Sequence, residues 1–118
     1  MDTRRFAGRS GESAAETGYV RRGFRVIARN WRCGIGELDL VLLHGDLLVI
    51  CEVKTRRGSG FGPGFDAVDA RKRRKIRALA EAFLQQHMMG PVAVRFDVAS
   101  VRLRPNGSAL VDVFEDAF

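Results

Sequence analysis

The sequence predicts an α/β or α+β fold in which helices pack on a central mixed sheet, and three observations carry that prediction. Helix and strand patterns follow one another in the order helix, three strands, helix, two strands. The two strands around Gly45 and Asp46 are apolar on both faces near the turn, as in a sheet covered on both sides. Between the third and fourth strands lies a segment with an apolar stripe at helical spacing.

Taken in order, Met1 to Arg9 are polar and basic without periodicity and read as a frayed terminus. From Ser10 to Arg22, Ala15 and Tyr19 sit at helical spacing, Ser13 and Glu16 form a capping-box pattern, and Gly23 supplies a stop, so a helix is expected. Phe24, Val26 and Ala28 alternate with Arg25, Ile27 and Arg29, which predicts a short strand leading into Asn30, Trp31 and Arg32, with Trp31 as a packing residue. Gly36 to His44 and Leu47 to Thr55 then flank a two-residue Gly-Asp turn, a hairpin signature. Arg56 to Phe65, with glycine at 58, 60, 62 and 64, reads as a loop anchored by Phe61 and Phe65. It lacks the Gly-Lys-Ser/Thr ending of a phosphate-cradling loop and the spacing of a dinucleotide fingerprint. Asp66 or Asp69 can cap a helix running to about Met88, with Ile76, Leu79, Ala80, Phe83 and Leu84 as its buried stripe and Gly90-Pro91 as its stop. Val92 to Leu103 and Leu110 to Phe114 read as strands joined around Pro105, Asn106 and Gly107.

A length of 118 residues, 46% of them hydrophobic, fits one domain with a real core, residues 1–118, of which 1–9 are expected to be flexible. Basic residues number 20 against 14 acids, for a net charge of +6. Arginine dominates them and is the better partner for bidentate phosphate contacts. Arg56, Arg57, Arg71, Lys72, Arg73, Arg74, Lys75 and Arg77 face only two acids, Asp66 and Asp69, in the same stretch, so the whole net excess sits there. Such a run is a candidate nucleic-acid grip, although a solvated helix face produces the same pattern. Cys33 and Cys51 are isolated, with no C-x-x-C pair and no histidine at ligand spacing, which argues against zinc. Without an apolar leader or a membrane-length segment, the chain reads as a soluble protein of the reducing cytosol. His44 and His87 are expected to be structural or exposed.

Candidate chemistry gathers in the hairpin. If His44 pairs with Leu47, counting back places Asp39 opposite Glu52 and Glu37 opposite Lys54, with Glu37, Asp39 and Val41 on one face and Ile50, Glu52 and Lys54 on the corresponding face of the next strand. A one-residue slip would send half of these groups to the other face. A carboxylate cluster at the rim of a buried sheet is costly unless neutralised, and Lys54 alone cannot balance three acids. A hard cation can, and Mg²⁺ uses one or two carboxylates plus water and substrate phosphate. Such a site suits phosphodiester hydrolysis, with Lys54 placed to orient water or to stabilise transition-state charge.

Asp39 followed by Glu52-Val53-Lys54 is the D…E-x-K arrangement of the restriction-endonuclease-like superfamily. The wider set is Gly11-Glu12, Ala15, Tyr19, Gly23, Ala28-Arg29-Asn30-Trp31-Arg32, Gly36-Glu37-Leu38-Asp39-Leu40, Glu52-Val53-Lys54-Thr55-Arg56, Phe61-Gly62, Ala67-Val68, Lys72 and Arg95-Phe96-Asp97. It resembles the YraN family of predicted endonucleases from Gly8 to Phe118. That family is similar to archaeal Holliday-junction resolvases. The resemblance implies an αβββαβ core, a Mg²⁺ or Mn²⁺ site, DNA, including branched DNA, as substrate, and a homodimer. It also maps an acid of the first helix onto Glu12 as a further metal ligand, where a helix N-terminal acid favoured by the macrodipole is the plain alternative. The site expected from all this is Asp39 and Glu52 as ligands, Lys54 as the catalytic cation, and Glu37 and Glu12 in supporting roles. The rival expectations are a nucleic-acid-binding module or assembly factor that keeps the fold without turnover, and a protein-interaction domain with a solvated acidic hairpin.

Overall fold

Gly45 takes a left-handed φ of 61°, open to glycine at no steric cost, and so closes the two-residue turn that pairs His44 with Leu47. Around this hairpin the computed structural model, which describes residues 3–57 and 68–118 with side chains from residue 10 onward, is a five-stranded mixed sheet with a helix on each face. The elements are α1 (Thr3–Arg21), β1 (Arg25–Cys33), β2 (Gly36–His44), β3 (Leu47–Arg57), α2 (Ala70–His87), β4 (Ala93–Leu103) and β5 (Ala109–Phe114). Sheet order follows chain order; β3 and β4 are parallel, joined through α2, and the other neighbours are antiparallel. The predicted α/β class and element order are therefore observed.

Two apolar layers hold the sheet between the helices. Leu38, Val41, Leu48, Ile50, Phe96 and Val98 pack against Ile76, Leu79, Ala80 and Phe83 of α2. On the other face, Leu40, Leu42, Val49, Cys51, Ala99 and Val101 pack against Ala15 and Tyr19 of α1. Burial on both faces explains why β2 and β3 read as continuous apolar runs. Trp31 packs edge-on against Phe83, with ring centroids 5.3 Å apart, as expected of a packing residue. Among the described residues, no helix is long and apolar enough to cross a membrane.

Several boundaries differ from expectation. α1 begins at Thr3 instead of Ser10, since Arg4, Arg5, Ala7 and Arg9 favour helix locally without an apolar stripe to announce it. β1 continues through Trp31 to Cys33, accommodating a bulge between Val26 and Ala28 and a left-handed Asn30 (φ 50°). α2 is capped by Asp69, whose side chain accepts from Lys72 N–H at 2.8 Å. It ends at a left-handed Met88, the end expected from the sequence, ahead of Gly90-Pro91. Met1, Asp2, Asp66 and the glycine-rich stretch after Arg57 lie outside the described residues.

Helix α1 lies close against the sheet at Gly11, where an added Cβ would lie 1.8 Å from Thr55 Oγ1 and 2.9 Å from Thr55 Cβ. Alanine gains about 1 kcal/mol of helix propensity over glycine. Overpacking against a β-branched residue of a central strand costs roughly 1–3 kcal/mol. Gly11→Ala is therefore expected to destabilise the protein by up to about 2 kcal/mol in urea unfolding, and a raised midpoint would mean that helix and strand are not in contact there.

Candidate functional site

The β2–β3 ladder runs from His44↔Leu47 to Leu40↔Cys51 and stops, so the expected Asp39–Glu52 and Glu37–Lys54 pairs do not form. The cause lies in the strand itself. Leu38 and Val41 both face α2, whereas Leu40 and Leu42 face α1, so the two-residue alternation slips between Leu38 and Leu40, on either side of Asp39. Where the ladder would continue, Asp39 uses its side chain: Oδ2 accepts from Val53 N–H at 2.8 Å. This bond holds the carboxylate against β3 at the residue between Glu52 and Lys54.

Asp39 is consequently half-buried among acids. Burial pushes its carboxyl up to about 7; Glu52 adds to the rise, the Val53 N–H bond opposes it, and Glu12 and Glu37 contribute further. Asp39, Glu52 and Glu12 thus lie in one electrostatic neighbourhood, reached from β2, β3 and α1. Glu37 belongs less closely to it, since its Oε2 pairs with Arg32 Nε across the β1–β2 ladder at 3.2 Å. Among the described residues, no three His, Cys, Asp or Glu side chains converge tightly enough to hold a metal by themselves.

A lysine from α2 enters the site. Lys72 Nζ lies 2.7 Å from Glu52 Oε1, and the carboxylate is much the less exposed partner, at 14% against 44%. That hydrogen bond raises the Lys72 pKa despite partial burial. Lys54 follows Glu52 by two residues on β3, is half-buried, and has no ion-pair partner among the described residues. The remaining basic residues divide by direction. Arg71, Arg74 and Lys75 are exposed along the first turns of α2, and Arg57 is exposed at the end of β3, whereas Arg56 is half-buried. Arg73 instead donates to Val68 O at 2.6 Å, and the Arg77 guanidinium lies over the Phe96 ring, 4.8 Å from its centroid. Arg73 and Arg77 also flank the Phe118 ring, at 6.0 and 5.9 Å. Both therefore have structural partners as well as charge, which a count of basic residues cannot reveal.

Beside Asp39, between α1 and β1, lies a cleft of about 250 Å³ lined by Glu12, Ser13, Glu16, Arg29, Asn30 and Leu40. An Arg29–Glu16 ion pair spans it. Behind the site, the wholly buried Asp97 of β4 accepts from Tyr19 Oη at 2.7 Å, from Arg95 Nε and Nη2 at 2.9 Å each, and from Asp116 N–H at 3.0 Å. Burial and the neighbouring Cys51 and Asp97 push the Tyr19 phenol well above its usual range, so it stays a neutral donor to Asp97. Cys51, one residue before Glu52, points to the α1 layer, and burial pushes its thiol up to about 12. Cys33 and Cys51 are both free. His87 stacks on Phe83 and His44 lies beside Phe24, structural placements that match expectation.

Comparison with known proteins places this arrangement in a family. A profile described as uncharacterised protein family UPF0102 matches residues 11–101. The chain is similar to a UPF0102 protein of Parafrankia sp. (strain EAN1pec), 48% identical over 111 residues that cover 94% of each chain. It is also similar to a UPF0102 protein of Ectopseudomonas mendocina (strain ymp), 43% identical over 119 residues, covering 100% of this chain and 98% of the relative. A UPF0102 protein of Streptomyces coelicolor is 43% identical over 114 residues, covering 95% of this chain and 88% of its own. The chain thus belongs to uncharacterised protein family UPF0102, the YraN family that its motifs resemble.

Proposed function

We propose that this protein is a metal-dependent DNA endonuclease that hydrolyses phosphodiesters at the Asp39–Glu52 site. The observation that carries the reading is Asp39 fastened to Val53 N–H beside Glu52, with its carboxyl pushed up to about 7 by burial and neighbouring acids. The Lys72–Glu52 pair leaves the Asp39 carboxyl still pushed up by its acidic neighbours, and negative charge crowded in this way favours a cation. The donor set is all oxygen, which suits Mg²⁺ or Mn²⁺. Two carboxylates, Asp39 and Glu52, are enough for Mg²⁺ when water and a substrate phosphate complete the shell, with Glu12 as a further ligand. The bound ion would supply Lewis-acid polarisation of the phosphoryl oxygen and a water of lowered pKa. Lys54 would orient that water against phosphorus and stabilise the charge that builds on the phosphoryl oxygens as the P–O bond to the leaving group breaks. Arg57, Arg71, Arg74 and Lys75 would hold the flanking phosphates.

The test is cleavage of labelled linear, flapped and four-way DNA with Mg²⁺, Mn²⁺ or EDTA, with binding recorded on the same samples. Wild-type protein is expected to cut in a metal-dependent way, and Lys54→Ala to lower the rate by about 100-fold or more with binding retained. Undiminished cutting by Lys54→Ala would remove Lys54 from the mechanism. Tight, salt-sensitive binding without cutting by wild type would favour the DNA-binding module that has lost turnover. Comparison of the three DNAs decides whether branched structures are preferred.

A further inference from the structure

We propose that Lys72 couples DNA to metal, its ammonium occupying Glu52 while no DNA is bound and leaving it when a backbone phosphate offers a better partner. The inference rests on the endonuclease reading of the Asp39–Glu52 site and adds to it an order of assembly. Lys72 Nζ stands 2.7 Å from Glu52 Oε1, the place a metal cation would need, and two cations on one carboxylate oxygen repel each other. The exchange needs little movement. Lys72 N–H is fixed by the Asp69 cap at 2.8 Å, so the helix backbone stays while the four-carbon side chain swings. That side chain is 44% exposed and within reach of solvent, whereas Glu52, at 14%, is mostly buried. Exposed Arg71 and Lys75 flank Lys72 on α2, so a phosphate drawn to this end of the helix arrives beside the ammonium.

The consequence is thermodynamic. If a phosphate removes Lys72 from Glu52, DNA tightens metal binding, and metal tightens DNA binding by the same factor. In the absence of DNA, Lys72 competes with the metal. Replacing it with an uncharged side chain of similar length therefore tightens metal binding and abolishes the coupling. Arginine at the same position restores both the competition and the coupling, because it can pair with a carboxylate or a phosphate.

The experiment is a Mn²⁺ titration followed by the electron paramagnetic resonance of free Mn²⁺, with and without a saturating short DNA duplex. It is made in the Lys54→Ala background, which keeps the carboxylates. Lys72→Met is expected to bind Mn²⁺ roughly tenfold more tightly than its Lys72 parent without DNA. Adding DNA is expected to tighten the parent by a similar factor while leaving Lys72→Met within about twofold, with Lys72→Arg behaving like the parent. Equal or weaker Mn²⁺ binding by Lys72→Met without DNA, or the same DNA effect in both proteins, overturns the coupling and leaves the endonuclease reading intact. Failure of every protein to bind Mn²⁺, with and without DNA, overturns the metal site itself and the coupling with it.

Discussion

Asp39→Asn is expected to raise the stability of the metal-free protein at pH 8 while abolishing Mn²⁺ binding and DNA cleavage. The folded protein holds the Asp39 carboxyl at about 7, against 3.8 for an unperturbed aspartate, with burial as the first cause and Glu52 as the second. Between those two values the folded state binds more protons at this position than the unfolded state, so stability falls as pH rises across the window. Below about pH 4 the group is protonated in both states and the cost is absent; above about pH 7 the cost is complete. Three units at 1.36 kcal/mol each set an upper figure of roughly 4 kcal/mol. Asparagine removes the charge, keeps an oxygen to accept from Val53 N–H, and offers an amide to Glu52, Glu12 and Glu37, the acids that act on Asp39 from β3, α1 and β2.

A gain of about 2 kcal/mol at pH 8 follows, roughly 8 °C in Tm for a domain of this size, shrinking towards zero near pH 4. Mn²⁺ gives the opposite dependence. It should stabilise wild type more at pH 8 than at pH 5, because protons compete for the ligand, and should leave Asp39→Asn unaffected. Thermal unfolding of both proteins at pH 4, 6 and 8, with Mn²⁺ and with EDTA, measures all of this together. A variant less stable than wild type at pH 8 in EDTA would show that Asp39 is already neutralised within the protein, and the case for a missing cation would fail.

The fold is legible in sequence where chemistry is local. The Gly45-Asp46 turn fixes its own register, the apolar runs on either side reveal a sheet covered on both faces, and the stripe from Ile76 to Phe83 reveals the helix that covers one of them. What cannot be read locally is where a ladder ends. Extending perfect alternation from the turn sets Asp39 opposite Glu52, yet the strand slips before Leu40 and Asp39 binds the backbone of Val53 instead. The same residues meet because a carboxylate can replace a ladder partner by accepting from a main-chain N–H. The basic segment teaches a similar lesson. Arg71 and Lys72 are neighbours in sequence, but one is exposed with no ion-pair partner among the described residues and the other holds Glu52, a difference that depends on how α2 lies against β3. Asp97 did leave a local signal, a lone carboxylate between apolar Phe96 and Val98-Ala99 in a strand pattern, and a charge there implies buried partners before any are seen.

Those partners make Asp97→Ala the substitution expected to cost the most stability. Asp97 is fully buried and accepts four hydrogen bonds, one from Tyr19, two from Arg95 and one from Asp116 N–H. Its loss leaves the guanidinium of Arg95, whose side chain is only 19% exposed, with a 3.7 Å approach to Glu115 and the Phe24 ring 5.9 Å away. Removing one member of a buried charge pair costs about 3–5 kcal/mol, against a total of roughly 6–18 kcal/mol for a chain of this length. Tyr19→Phe removes one bond to a charged acceptor and should cost less, about 1.5–3 kcal/mol. Urea unfolding of both variants gives the comparison, and an Asp97→Ala loss below about 1 kcal/mol would mean that the network does not hold α1 to β4. The network also bears on the site. Tyr19 fastens the end of α1 and Gly11 seats its middle against Thr55, so between them they decide where Glu12 stands relative to Asp39. Tyr19→Phe, still folded, should therefore weaken Mn²⁺ binding severalfold although residue 19 touches no metal ligand, and rigid retention of wild-type affinity would remove Glu12 from the metal site while leaving Asp39 and Glu52 in it.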